Sequence, residues 1–179
     1  MRLKKIIKQL EGKFPLELAE EWDNVGLLLD STRREIKSIM LCLDITRDIV
    51  DNAVANKVDL IISHHPFIFS PLKKITTDEV NGEKILKLAR NNIAVYSMHT
   101  NIDSGIGGLN DFIIKKIGQE GKVFAISDNR SIELRKLVTS DLIDAKDKII
   151  NPLRIQKLKS AITIEELCKI IKEKLCIPN

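Results

Sequence analysis

The chain has 179 residues, of which 44% are hydrophobic and 30% are charged, enough for one domain with a sizeable core. No apolar stretch approaches the roughly 18 residues of a membrane span, and three cysteines without CxxC spacing exclude a disulfide-stapled scaffold. The net charge of +4 is small, and together these features predict a cytoplasmic protein without a membrane partner.

Apolar residues at helical spacing predict an amphipathic helix over residues 2–13, ended by Pro15, rather than a signal peptide. A second short helix over residues 16–21 leads into Trp22–Gly26. Asp23 and Asn24 in that segment are turn formers, and they are equally suited to lining a pocket.

Buried strands and helices of about ten residues alternate through the centre of the chain. The predicted strands are Lys37–Asp44, Val58–Ser63 and Ile93–Met98. The predicted helices are Arg47–Asn56 with Thr46 as N-cap, Gly82–Asn91, and Leu109–Ile117 ending at Gly118. This alternation predicts an α/β fold, with a mainly parallel sheet covered by helices on both faces.

The last third carries weaker signals. Residues 122–127 favour a strand, residues 131–139 favour a strand or a short helix, and Thr163 with Glu166 forms a capping box before a helix over 164–175. We expect residues 1–120 to form an α/β metal-site domain. We expect residues 121–179 to be a partial second segment, the incomplete remainder of the same fold.

The positive charge comes from residues 146–179, where eight Lys and Arg outnumber four Asp and Glu. Such a segment suits nucleic-acid binding or a solvated helix face. No aromatic residues are interleaved with the basic ones to stack on bases, which favours the solvated face and no nucleic-acid partner.

All three histidines of the chain lie at two predicted strand ends, in Ser63-His64-His65-Pro66 and at His99. Ligands of parallel sheets gather beyond the carboxyl ends of the strands, and histidine is the commonest metal ligand. Adjacent strand residues point to opposite faces, so the pair can serve one site only where Pro66 breaks the strand. Metal binding and a pair of exposed loop histidines are both consistent with this pattern.

Carboxylates and glycines near these histidines have two interpretations each. Asp103 offers a carboxylate that can bridge two cations, or it caps the helix that follows the glycines. Asp44 either orients a histidine or simply ends its strand. Gly105–Gly108 either cradles a phosphate or forms a tight turn, and the turn is favoured because the segment matches no phosphate-binding fingerprint.

Several segments occur in the order of a known family. They are Trp22-Asp23-Asn24-Val25-Gly26-Leu27, Leu43-Asp44-Ile45-Thr46, Asp59-Leu60-Ile61-Ile62-Ser63-His64-His65-Pro66, Pro71-Leu72-Lys73, His99-Thr100-Asn101-Ile102-Asp103 and Gly107-Gly108-Leu109-Asn110-Asp111. The sequence thereby resembles the Nif-three-like dinuclear metal-binding family, often labelled GTP cyclohydrolase I type 2 homologue, over roughly residues 1–118.

The resemblance implies a Nif-three-like α/β protein that binds two divalent ions and assembles as a toroidal homohexamer. It implies that His64, His65 and Asp103 are metal ligands and that His99 lies beside the metals as a candidate catalytic acid or base. Zinc, iron, manganese and nickel all suit such ligands.

Family members complete the site with a histidine and a glutamate four residues apart near their C-terminus, and no histidine follows His99 here. We therefore expect a C-terminally truncated member. One hypothesis is a metal-dependent hydrolase of a small nucleotide or phosphoester-type substrate. The alternative is a non-enzymatic oligomeric scaffold or binding protein with a degenerate metal site.

Overall fold

Helix α1 (Leu3–Lys13) opens the chain in the computed structural model, which describes residues 1–33, 35–127, 130–133 and 152–178. The chain divides into two units, Met1–Asn101 and Ile102–Asn179. The assignment of domains to residues 1–120 and 121–179 stays a prediction. Among the described residues, no helix combines the length and the apolar character needed to cross a membrane.

The first unit is built around a four-stranded sheet. After α1 and a 3₁₀ turn (Leu16–Leu18), its elements are β1 (Gly26–Leu29), β2 (Ile39–Cys42), α2 (Arg47–Ala55), β3 (Leu60–Ser63), α3 (Val80–Arg90) and β4 (Ala94–Ser97). The spatial order is β1-β4-β3-β2, with β2, β3 and β4 parallel and β1 antiparallel to β4. The predicted α/β class with a mainly parallel sheet is confirmed.

Helices cover both faces of this sheet. Ile61 and Val95 share one hydrophobic cluster with Val50 of α2 and Leu88 of α3. Tyr96 follows Val95 and therefore points to the other face, where its hydroxyl donates a hydrogen bond to Glu11 of α1 at 3.4 Å. Strands β3 and β4 are apolar runs because neither of their faces meets water. The prediction of a buried strand is wrong for β2, an edge strand in which Ile39 and Leu41 are 47% and 74% exposed.

Local signals mark some of the helix ends. The Thr46 hydroxyl accepts a hydrogen bond from the Ile49 amide at 3.3 Å, which confirms it as the N-cap of α2. Helix α4 (Thr100–Ser104) contains the division between the units, and α5 (Leu109–Ile117) ends at Gly118, whose φ of 74° is left-handed.

The second unit contains a three-stranded antiparallel sheet and further helices. The strands are β5 (Gly121–Ser127), β6 (Arg130–Glu133) and β7 (Arg154–Leu158), in the order β6-β5-β7. Helix α6 (Ile164–Leu175) starts at Thr163, whose hydroxyl accepts from the Glu166 amide at 3.1 Å, as the capping box predicted. Of the segment predicted over 131–139, residues 134–139 lie outside the described part of the chain.

A buried arginine ties β7 to the turn between α4 and α5. The Arg154 side chain is 2% exposed, and its Nε donates to Asp111 at 2.5 Å. Its Nη2 donates to the carbonyls of Ser104 and Gly105 at 3.1 and 3.2 Å. The turn carbonyls are thus satisfied by a planar donor that is always charged.

Candidate metal centre

The two adjacent histidines sit where the chain leaves β3. Their amides continue the parallel pairing, since His64 N donates to Cys42 O and His65 N to Leu43 O, both at 3.0 Å. The Ser63 hydroxyl then donates to the His65 carbonyl at 2.9 Å and bends the chain towards Pro66. The ring centroids of His64 and His65 are 5.2 Å apart, so the break brings both rings to one site.

His99 joins them from the neighbouring strand. It follows β4, and its amide donates to the Asn101 side chain at 3.0 Å. Its ring centroid lies 5.1 Å from that of His64 and 5.6 Å from that of His65. One ring nitrogen from each of the three histidines lies within 4.8 Å of the others.

Nδ1 of each imidazole donates a hydrogen bond to an oxygen atom. His64 Nδ1 donates to the Met98 carbonyl at 3.0 Å, His65 Nδ1 to Asp44 at 2.7 Å, and His99 Nδ1 to Asp23 at 2.9 Å. A neutral imidazole that donates from Nδ1 carries its lone pair on Nε2. Such oxygen partners fix the ring orientation and raise the basicity of metal-ligating histidines.

Asp23 is the most enclosed of these partners. Its side chain is fully buried, and it also accepts from the amide and the hydroxyl of Thr100. Burial raises the pKa of Asp23, but the hydrogen bonds from Thr100, His99 and the Asn24 amide outweigh it and hold the pKa below its ordinary value. The carboxylate is therefore ionised at neutral pH beside His99.

Two exposed aromatic rings flank the cluster. The Trp22 ring meets His99 edge-on with a centroid distance of 6.1 Å, and it lies 6.1 Å from the Phe69 ring. Trp22 and Phe69 are 60% and 54% exposed. They give the histidine site an apolar rim that still admits a ligand.

A cavity of about 550 Å³ opens beside the cluster. His65 and Asp44 form part of its wall, and Phe67 and Lys84 line it as well. Its volume suits a small organic molecule.

The structure decides several of the alternatives left open by the sequence. Asp44 does orient His65, and Asp23, which the sequence assigned to a turn or a pocket, is bonded to His99. Asp103 lies in α4 in the second unit, so its role as a ligand stays a prediction, as does the catalytic role of His99.

The glycine segment forms a tight turn. Gly108 N donates to the Gly105 carbonyl at 3.0 Å, and Gly107 N donates to Asp111 at 2.6 Å. These amides are used within the turn, which supports the favoured interpretation over a phosphate cradle.

The donor chemistry fits a divalent transition metal. Three neutral imidazoles are the protein ligands of one class of catalytic zinc site, which keeps a fourth position open. His64, His65 and His99 form the one cluster of at least three His, Cys, Asp or Glu ligand atoms within the described ranges. Sequence reasoning did not find the Asp23 contact, because it joins residues 76 positions apart.

Comparison with known proteins gives a consistent result. The profile of the family Duf34/NIF3 (NGG1p interacting factor 3) matches residues 1–179. A Clostridium acetobutylicum protein named GTP cyclohydrolase 1 type 2 homolog is 33% identical over the whole chain, and one from Clostridium perfringens is 35% identical. The chain spans 61% and 62% of the length of these two relatives.

Solved structures show the same fold. Reduced HcgD from Methanocaldococcus jannaschii has a TM-score of 0.72 and 28% identity, over 97% of this chain and 60% of its own. A Bacillus cereus protein related to NIF3 has a TM-score of 0.73 and 22% identity, over 98% of this chain and 71% of its own. The likeness confirms the predicted fold class.

Proposed function

Because this chain belongs to the Duf34/NIF3 family, we propose that it binds divalent metal at His64, His65 and His99 and acts as a metal-dependent hydrolase. The observation that carries the proposal is the group of three ring nitrogens within 4.8 Å, each ring held through Nδ1 by an oxygen. The proposed substrate is a nucleotide or another phosphoester-type molecule.

Each residue has a defined task in this proposal. The three imidazoles hold the ion through Nε2, and Asp44 and Asp23 keep two of the rings in place. When bound, the ion supplies a water of lowered pKa and polarises a substrate oxygen. Trp22 and Phe69 would offer apolar surface to a substrate beside the site.

A second ion and its ligands belong to the proposal through family membership. Asp103 is proposed as a carboxylate that would help to hold the ions, and His99 would then serve as a ligand or as an acid or base. Imidazole and carboxylate ligands suit zinc, iron, manganese and nickel. A cytoplasmic homohexamer is proposed on the same basis, and light scattering after size exclusion measures the oligomeric state.

The alternative is a binding or scaffold protein without catalysis. Three histidines are enough to hold one ion, and holding an ion does not by itself require turnover. Both candidate functions include a bound metal, and they differ in whether the protein turns over a substrate.

Elemental analysis of protein purified without chelator tests the metal site directly. We expect at least about one metal per chain for the wild type and less than about 0.2 for His65→Ala, because two imidazoles bind weakly. Asp51→Asn serves as a control, since Asp51 is an exposed partner of Lys87 away from the histidines. A wild type that stays below about 0.2 after incubation with zinc or iron contradicts the site.

Turnover then separates the hydrolase from the scaffold. Nucleoside triphosphates and p-nitrophenyl phosphate are offered to wild type and His65→Ala at matched protein concentration. Release of phosphate or ring-opened product that tracks the metal content supports the hydrolase. A metal-loaded protein without turnover of any of them supports the scaffold.

A further inference from the structure

The cavity beside His65 contains a lysine ammonium that forms no ion pair with a carboxylate of the described residues. Lys84 lies on α3, and its Nζ donates to the Ile45 carbonyl at 2.8 Å. The same ammonium stands 5.4 Å from the centroid of the Phe67 ring. Within the described part of the chain, no carboxylate oxygen lies within ion-pair distance of Lys84, although Asp44 contributes an attractive field.

Nearby carboxylates are engaged elsewhere. Asp44 accepts from His65 at 2.7 Å, and Glu83, the neighbour of Lys84 on α3, pairs with Arg47 at 2.9 Å. Burial lowers the pKa of the Lys84 ammonium, and the positive charge of Arg47 lowers it further. The attraction of a bound anion would offset both effects.

The remaining walls are apolar or neutral. Phe67 is buried and follows Pro66, and Pro71 restricts the loop after it. Asn24 holds this loop by donating to the Ile68 carbonyl. The cavity therefore combines apolar side chains, a single ammonium, and the paired Asp44 carboxylate and His65 imidazole in its wall.

We propose that this cavity is the substrate subsite for an oxyanion, a phosphate or carboxylate attached to a small apolar or aromatic body, with Lys84 as its positioning residue. The inference rests on the proposed function for its reaction, because a molecule bound in the cavity would meet the histidine cluster at His65, which belongs to both. A charge-assisted hydrogen bond to the ammonium selects the anion over a neutral analogue. The aromatic wall of Phe67 accommodates the body.

Calorimetric titration with three probes tests the subsite. Phenyl phosphate, benzoate and phenol share one ring and differ in charge, so phosphate and carboxylate are compared with a neutral control. We expect chelator-treated wild type to bind at least one of the anions about tenfold more tightly than phenol. Lys84→Met should lose that preference and Lys84→Arg should retain part of it.

Lys87→Met is the matched control. Lys87 lies three residues further along α3 and pairs with Asp51 outside the cavity. Equal loss of anion preference in Lys87→Met and Lys84→Met would overturn the subsite, as would an unchanged preference in Lys84→Met. Failure of the wild type to bind either anion more tightly than phenol at millimolar concentration overturns it as well.

Repeating the titrations with zinc separates this inference from the proposed function. An anion preference that appears only with zinc and ignores Lys84→Met assigns anion binding to the metal and removes the subsite. A Lys84-dependent preference in a protein that binds no metal removes the metal site and leaves the subsite standing.

Discussion

At the scale of single residues, the site depends on the oxygen atoms that accept hydrogen bonds from Nδ1 of the imidazoles. The two carboxylates differ in surroundings, because Asp23 is fully buried whereas the Asp44 side chain is 57% exposed. A buried charge–dipole contact is screened less by water than an exposed one. The two aspartates should therefore matter unequally for metal affinity.

Asp44→Asn is expected to weaken metal affinity about tenfold, the low end for such partners, because water competes at this exposed contact. Asp23→Asn should cost more, closer to a hundredfold, since Asp23 is buried and also holds Thr100. Competition with a metal-sensitive dye measures both affinities. Asp51→Asn should match the wild type, and an equal loss there would contradict the assigned roles.

At the scale of elements, the packing of α3 depends on a glycine in its first turn. A Cβ added to Gly82 would stand 2.2 Å from the Thr76 carbonyl oxygen and 2.7 Å from its nitrogen. These are backbone atoms that cannot rotate away. The loop before α3 and the helix itself are therefore in close contact at this point.

Gly82→Ala should lower the free energy of unfolding by about 1–3 kcal/mol, because the clash outweighs the better helix propensity of alanine. Gly12→Ala is the matched control, as its added Cβ meets nothing within 4 Å in α1. Urea unfolding of both variants measures the difference. A Gly82→Ala variant as stable as Gly12→Ala would contradict the prediction, because it would show that the loop containing Thr76 moves to accept the methyl group.

A buried aspartate fastens the start of β3 to the segment before β2. Asp59 accepts from the amides of Lys37 and Ser38 at 2.7 and 3.0 Å, and it pairs with Arg33 at 3.2 Å. Burial raises its pKa, but these backbone donors and the guanidinium outweigh burial and lower the pKa below 3.8. The carboxylate thus stabilises the fold only while it is ionised.

Asp59→Asn should destabilise the protein by about 1–3 kcal/mol at neutral pH. A lowered pKa in the folded state gives a stabilisation that is complete above the ordinary pKa of 3.8 and disappears as the pH falls through the folded value. The difference in the free energy of unfolding between wild type and variant should therefore become smaller below pH 3.8. Denaturant unfolding across pH 3 to 7 measures it, and a constant gap would contradict the role of the charge.

Local chemistry made many of the described elements predictable, whereas pairing between residues remote in sequence was not predictable. Thr46 and Gly118 mark helix ends through their own side chain and backbone preference. Strand β1 was not predicted, because it is defined by antiparallel pairing of Gly26 with Ser97 across the chain. The three histidines were predictable as a group because they follow two predicted strands. The hydrogen bond between Asp23 and His99 was not predictable, because it joins residues remote in sequence.

At the scale of the whole molecule, a site assembled from two strand ends should couple metal binding to folding. His64 and His65 follow β3 and His99 follows β4, so their nitrogens converge only when those strands pair. A ligand that binds the native state alone stabilises it by about 2.7 kcal/mol at a hundred times its dissociation constant. The metal should thus raise the melting temperature.

Zinc at a hundredfold excess over its dissociation constant should raise the midpoint of thermal unfolding by roughly 5–10 °C, given about 2–4 °C per kcal/mol for a chain of this size. An excess of chelator should reverse the shift, since the effect is an equilibrium one. Differential scanning calorimetry of wild type and His65→Ala measures it, with Lys87→Met as a control outside the site. An equal shift in His65→Ala would place the stabilising metal away from the histidines, because that variant keeps every other surface ligand.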